Sequence, residues 1–203
     1  MHPILHTFVA GLCLALLTGC GVTRPSKFYL LTAVEESGAA AVSTLAPALG
    51  IGPVAFPAYL DRSEIVLRSG GNELNYAGSH RWAEPLKTAF SHTLSENLSI
   101  MLPTGRTVIH PWSRSTELDY QVIVNVMRFD ADAGGTVILT VGWELIRTSD
   151  TTVMNRNKAT YTEAAGSTDY PAVVAAQSRA VEQLSRDIAA AISGAGLPAG
   201  QSR

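Results

Sequence analysis

Residues 7–17 (TFVAGLCLALL) form an unbroken run of apolar and small residues that leads straight into Leu17-Thr18-Gly19-Cys20. A helix of that length, at about 1.5 Å of rise per residue, covers about half of a hydrocarbon core roughly 30 Å thick, so the run is too short to span a membrane. It reads instead as the apolar centre of a signal peptide over residues 1–19, although its first residues carry only the start amine, His2 and His6 where lysine or arginine is usual. Whatever folds is then the roughly 180 residues that follow, outside the cytoplasm. Thiol chemistry is disposed of at the same time, because the two cysteines are Cys13, inside the discarded segment, and Cys20 at its edge. With no disulfide or thiolate metal site to staple it, the chain must be held by a hydrophobic core. About 180 residues suffice for one such core and are too few for two comfortable ones.

Leu17-Thr18-Gly19-Cys20 resembles the bacterial lipobox, in which small residues let the peptidase reach the backbone and the cysteine thiol takes a diacylglyceryl group. The resemblance implies lipidation of Cys20 with three acyl chains. At about 0.8 kcal/mol per buried methylene, such an anchor is effectively permanent. Gly21 stands where an aspartate would imply retention in the inner membrane, so the implied location is the periplasmic face of the outer membrane. Residues 20–27 become a lipidated tether, and the segment between Cys20 and the first strand reaches about 25 Å at most. One periplasmic domain is expected over 28–195, with 196–203 as a tail. The net charge of −2 and pI near 6.2, with the 15 Lys and Arg scattered singly, leave no basic footprint and argue against nucleic acid as a partner.

Along the chain, Phe28 to Thr32 reads as a first strand, and the small, weakly apolar stretch Glu35 to Ala48 as a loop. Leu49 to Phe56 reads as a strand interrupted by Gly and Pro. Ile65 to Ser69 and Glu73 to Ala77 flank Gly70-Gly71-Asn72, a cluster suited to a hairpin turn. From Glu84 to Leu102 the period changes to 3.6, with Leu86, Phe90, Leu94, Leu98 and Met101 on one stripe; Pro85 starts this helix, and Pro103 with Gly105 stops it. Thr107 to His110 is a short strand. Leu118 to Val126 and Val137 to Leu145 alternate as strands, and Val153 to Thr162 follows after Ser149-Asp150 as the third strand of a meander. A second helix runs over Ala172 to Ser193, with Val174, Val181, Leu184, Ile188 and Ile192 on one stripe, Asp169 as candidate cap and Pro171 in its first turn. Each helix has one apolar stripe to bury. The expected fold is therefore α+β: two layers, a mainly antiparallel sheet with two amphipathic helices packed on one face.

Catalytic constellations are missing from this pattern. There is no Gly-x-Ser-x-Gly elbow, and His80, His92 and His110 fall in three different elements, with His92 on the exposed side of the first helix. No His or carboxylate pair has a metal-ligand spacing, and Gly50-x-Gly52 precedes no helix that would place an N-terminus against phosphate. No catalytic residue, metal or cofactor is expected beyond the covalent lipid on Cys20, and an envelope hydrolase is the weakest reading.

Two segments are more than generic. Gly52 to Arg68 (GPVAFPAYLDRSEIVLR) carries Val-x-x-Pro-x-Tyr-Leu before an apolar strand, and Arg81-Trp82-Ala83-Glu84-Pro85-Leu86 leads into the first helix, with Leu94, Asn97 and Leu98 following. With the lipobox, Phe28-Tyr29-Leu30 and Leu102-Pro103, these resemble the PqiC/YmbA family of ABC-type transport auxiliary lipoproteins. Beyond residue 105 the resemblance rests on element order alone. It implies an outer-membrane-tethered partner of MCE-domain proteins and inner-membrane transport components, a docking subunit in lipid movement between two membranes. A homo-oligomer is a further expectation, since a conduit needs an exit collar. Pro57, Tyr59 and Leu60 match the first motif of the family, and Trp82 the second; these four are the candidate partner-binding residues. Each also has a purely structural use: Pro57 sets a turn, Tyr59 and Leu60 cap the core, Asp61-Arg62 is a solvated pair, and Trp82 staples the helix to the sheet. Exposure of Tyr59 and Leu60 decides between the two. The alternative function, a stand-alone carrier of lipid or another small hydrophobe, requires an apolar cavity between sheet and helices.

Overall fold

The structure, a computed structural model, describes residues 25–35, 47–102 and 106–194. Cys20, the signal segment, most of the tether, the middle of the expected 35–48 loop, Pro103 with Gly105, and the 196–203 tail lie outside the described residues. The backbone of the fold is three long antiparallel strands, β6 (Tyr120–Asp132), β7 (Thr136–Arg147) and β8 (Thr152–Ala164), the first two produced by hydrophobic alternation. Val122 pairs with Leu145, Val124 with Trp143 and Phe129 with Leu139, and all six are buried, so one face of the β6–β7 pair is continuous core. Gly135 makes the β6–β7 turn at a φ of 80°, where a Cβ would come within 2.4 Å of the Ser167 carbonyl oxygen, so no side chain fits.

The free edge of β6 is shared by two strands placed end to end. β2 (Ala48–Ala55) pairs with its first half, Leu49 opposite Tyr120, and β3 (Glu64–Gly70) pairs with its end, Leu67 opposite Ala131. Beyond β2 lies β5 (Arg106–Ile109). Beyond β3 lie β4 (Glu73–Trp82) and then β1 (Lys27–Tyr29). The sheet therefore forks at residues 56–63. The β3–β4 hairpin turns where expected, with Gly70 and Gly71 at φ of 125° and 52°. Among the described residues, four of the seven strand pairings are parallel, and two of the three antiparallel ones, β6–β7 and β7–β8, make the longest ladders. The sheet is thus mixed, antiparallel mainly through the meander and hairpin. Local alternation cannot reveal this, since parallel partners are joined by long crossovers rather than turns.

Two helices cover the core face. α1 (Leu86–Met101) begins after Pro85 and buries Leu86, Phe90, Leu94 and Leu98; α2 (Tyr170–Gly194) begins after Asp169, whose carbonyl accepts the first bond from the Val173 N–H at 3.0 Å. α1 packs on β2 and β5, α2 on β7 and β8, and the helices touch each other. Their contact is polar at one point. Asn97, fully buried, donates to Ser185 Oγ at 3.0 Å and accepts from the Val34 N–H at 2.9 Å, while the Thr32 N–H bonds Ser178 Oγ at 3.1 Å. The chain after β1 is in this way strapped to both helices. Replacing Asn97 with leucine should destabilise the fold by about 1–3 kcal/mol, because it orphans a partly buried backbone N–H. Urea denaturation measures this, and a loss below about 0.5 kcal/mol would mean that water replaces the lost bonds.

Candidate functional site

The fork is filled by the segment the sequence singles out. After β2 the chain turns at Pro57 into one turn of 3-10 helix, Ala58–Leu60, closed by the Leu60 N–H to Pro57 carbonyl bond at 3.0 Å and the Asp61 N–H to Ala58 carbonyl bond at 3.1 Å. Proline suits that position because its φ is already set; Pro57 sits at −67°. The turn plugs the gap from both sides. Toward the helices, Phe56 meets Phe90 edge to face at 5.2 Å, and Phe90 meets Phe129 likewise at 5.8 Å. Alternation along β6 points Asp130 away from Phe129, and there the Tyr59 hydroxyl donates to Asp130 Oδ2 at 3.0 Å.

Asp130 has no exposed surface. Its carboxylate also accepts from Arg68, whose Nη2 lies 3.0 Å from Oδ2, and from Arg128 Nε at 2.8 Å from Oδ1. Both arginine side chains keep about a quarter of their surface in solvent, 23 % and 27 %. Burial, reinforced by the neighbouring Asp130 charge, pushes the Tyr59 phenol up to about 12. That is above the value near 10 of an unfolded tyrosine, so the contribution of Tyr59 to stability is whole below about pH 10 and is lost as pH climbs toward 12. Tyr161, raised likewise by burial and its bond to Asp187, adds to the same slope. Denaturation across this range should show a steeper alkaline loss in the natural protein than in Tyr59→Phe; identical slopes would remove Tyr59 from the account.

The second motif lies beside the first. The Trp82 N–H donates to the Ser63 carbonyl at 2.7 Å, Arg81 faces Glu64 at 3.7 Å, and the Ala83 N–H reaches the Tyr29 carbonyl at 2.9 Å. Two motifs some twenty residues apart in sequence therefore form one surface. It holds two clefts that meet at Asp61: one of about 360 Å³ between Arg62, Trp82, Glu84 and Pro85, and one of about 270 Å³ between Phe56, Ala58, Leu60 and Lys87. A larger cleft, about 540 Å³ beside Trp112, Leu118 and Arg147, contains none of the motif residues.

Of the four candidate partner-binding residues, Leu60 and Trp82 are core side chains, 2 % and 4 % exposed, while Pro57 and Tyr59 are half-buried. They support the surface more than they present it. What faces solvent is Ala58, Asp61, Arg62, Ala83, Pro85 and Lys87, with the Arg62 guanidinium 3.6 Å above the Tyr76 ring. Such a surface offers charge, small residues and an aromatic floor, which suits binding. The histidines stay apart: His80 is stacked on Tyr170 at 3.9 Å, His92 faces Glu84 at 3.7 Å, and His110 meets Trp112 at 5.1 Å. Among the described residues, no three His, Cys, Asp or Glu side chains are grouped to hold a metal ion. The Asp130–Arg68–Arg128 cluster escapes the sequence reading. Its one signal is an aspartate between Phe129 and Ala131 inside a long apolar strand.

A family model described as "ABC-type transport auxiliary lipoprotein component" matches residues 29–189. No curated protein matches the chain. Among solved structures, an uncharacterized protein is similar at 21 % identity with a TM-score of 0.69, over 83 % of this chain and 99 % of its own. Protein XCC0632 from Xanthomonas campestris is similar at 20 % identity with a TM-score of 0.66, over 83 % and 96 %. At such identities the two structures show a shared fold.

Proposed function

Because the chain belongs to the family of ABC-type transport auxiliary lipoprotein components, we propose that it is a docking subunit of an MCE-type system moving lipid between membranes. It is held through acylated Cys20 at the periplasmic face of the outer membrane and acts by binding rather than by reaction. The observation that carries this reading is the union of both family motifs in one surface, with clefts on either side of exposed Asp61 and a rigid aromatic floor beneath. Pro57, Tyr59, Leu60 and Trp82 hold that surface in shape; Asp61, Arg62 and Lys87 meet the partner.

The space between sheet and helices supports docking over carriage. It is filled by Phe90, Leu94, Leu98, Phe129, Leu139, Leu184 and Ile188, none with exposed surface, whereas a lipid carrier requires a cavity of a few hundred Å³ there. Photo-cross-linking from position 61 or 87 in intact cells should capture an MCE subunit or another envelope transport component. Reversing the charges, Asp61→Lys with Arg62→Glu, should weaken co-purification by about tenfold while leaving the fold intact, as expected of charges at an interface. Repeated cross-linking that recovers no envelope transport component sinks the reading.

A further inference from the structure

Soluble domains hide their large apolar side chains or scatter them singly. Five large apolar residues are well exposed among those described: Phe28 at 65 %, Leu30 at 50 %, Tyr76, Val153 and Met127. The two most exposed are neighbours on one side of one segment. Tyr29 and Leu31 turn inward, Leu31 to 8 % exposure, so Phe28 and Leu30 point outward together by the two-residue period of an extended chain. Among the described residues β1 is an edge strand, paired only with β4, and the chain beyond it is fixed to the helices through Thr32 and Val34. The pair is therefore held out rigidly, with Arg81, which faces Glu64, opposite Phe28 in the register.

The position of the pair in the chain says what covers it. Phe28 comes eight residues after Cys20, and the link from Cys20 to Lys27 spans at most about 25 Å even when fully extended. We propose that Phe28 and Leu30 are a second membrane contact, entering the headgroup boundary of the leaflet that holds the acyl chains of Cys20. This rests on the lipid anchor assigned above. Three acyl chains already hold the protein, so two further side chains add little to retention. Their work is orientation. They press the β1 edge onto the bilayer and thereby set the direction in which the adjoining Trp82–Pro85 surface faces.

The test is a depth measurement on full-length, processed protein in vesicles of phosphatidylethanolamine and phosphatidylglycerol. If Cys20 is acylated the mature chain has no free thiol, so Phe28→Cys, Leu30→Cys and Val153→Cys each provide one labelling point for an environment-sensitive fluorophore. At 28 and 30 iodide quenching should fall roughly threefold below that at 153, and spin-labelled lipid should quench there and not at 153. In a Phe28→Ser background the probe at 30 should move back toward the value at 153. Iodide access at 28 equal to that at 153 overturns the proposal. So does shielding at 28 without quenching by lipid, which would mean that protein covers the pair. Thiol labelling of the unsubstituted chain would show Cys20 to be free; that result removes the anchor, and the proposal with it, and is distinct from the other two.

Discussion

Asp130→Ala should cost about 3 kcal/mol or more of folding stability, near the lower end of the 3–5 kcal/mol that follows loss of one partner from a buried ion pair. The carboxylate is fully buried and is the common acceptor for Arg68, Arg128 and the Tyr59 hydroxyl. Removing it leaves two guanidinium groups facing each other and one partly buried hydroxyl without an acceptor. The arginines are about a quarter exposed and rehydrate in part, which keeps the cost from the top of the range. Asp130→Asn, which still accepts from Tyr59 but no longer balances the two cations, should lose about half as much. Denaturant midpoints at unchanged slope measure both. A loss under about 1 kcal/mol for alanine would show that the cluster does not hold the fork closed. Asp130 joins β6, β3 and the 3-10 turn, so the variant should also weaken partner capture from position 61.

Phe90→Ala should be of similar size, about 3–5 kcal/mol, for a different reason. Phe90 has no exposed surface and contacts Phe56 on one side and Phe129 on the other, so its ring joins α1, the plug of the fork and the meander. Truncation leaves a cavity that rigid neighbours on three elements cannot close. Phe90→Leu, which refills most of the volume, should cost about 1.5 kcal/mol or less. Phe90 and Asp130 hold the same turn from opposite sides of the sheet, and a double variant should therefore depart from additivity by about 0.5 kcal/mol or more. Strict additivity would mean that the turn is not the shared element.

Much of the fold was legible in sequence because it is dictated locally. The stripe from Leu86 to Leu98 and that from Val174 to Ile192 each specify one helix with one face to bury. The alternation from Tyr120 to Val126 and from Val137 to Leu145 specifies strands with one buried side. Where the local signal is interrupted, the reading stops early. β6 continues to Asp132 past a bulge between Val126 and Arg128, which resets the alternation and hides Phe129 and Asp130 from a period-two reading. The candidate site was half legible. Its motifs were recognisable by residue type and spacing, and their meeting at the fork was not, because it depends on β2 and β3 sharing one edge of β6.

The chain by itself determined the kinds and order of most elements, the α+β class, the absence of thiols past Cys20 and the short span of chain between Cys20 and β1. These follow from side-chain pattern, composition and bond lengths, and each is a property of neighbours in sequence. Only the tertiary structure decided which strands run parallel, that Leu60 and Trp82 lie beneath the surface they shape, that Asp130 is buried among two arginines and a tyrosine, and that Phe28 and Leu30 stand out. Those depend on which distant segments share an edge or a face, a choice made by the packing of the whole core.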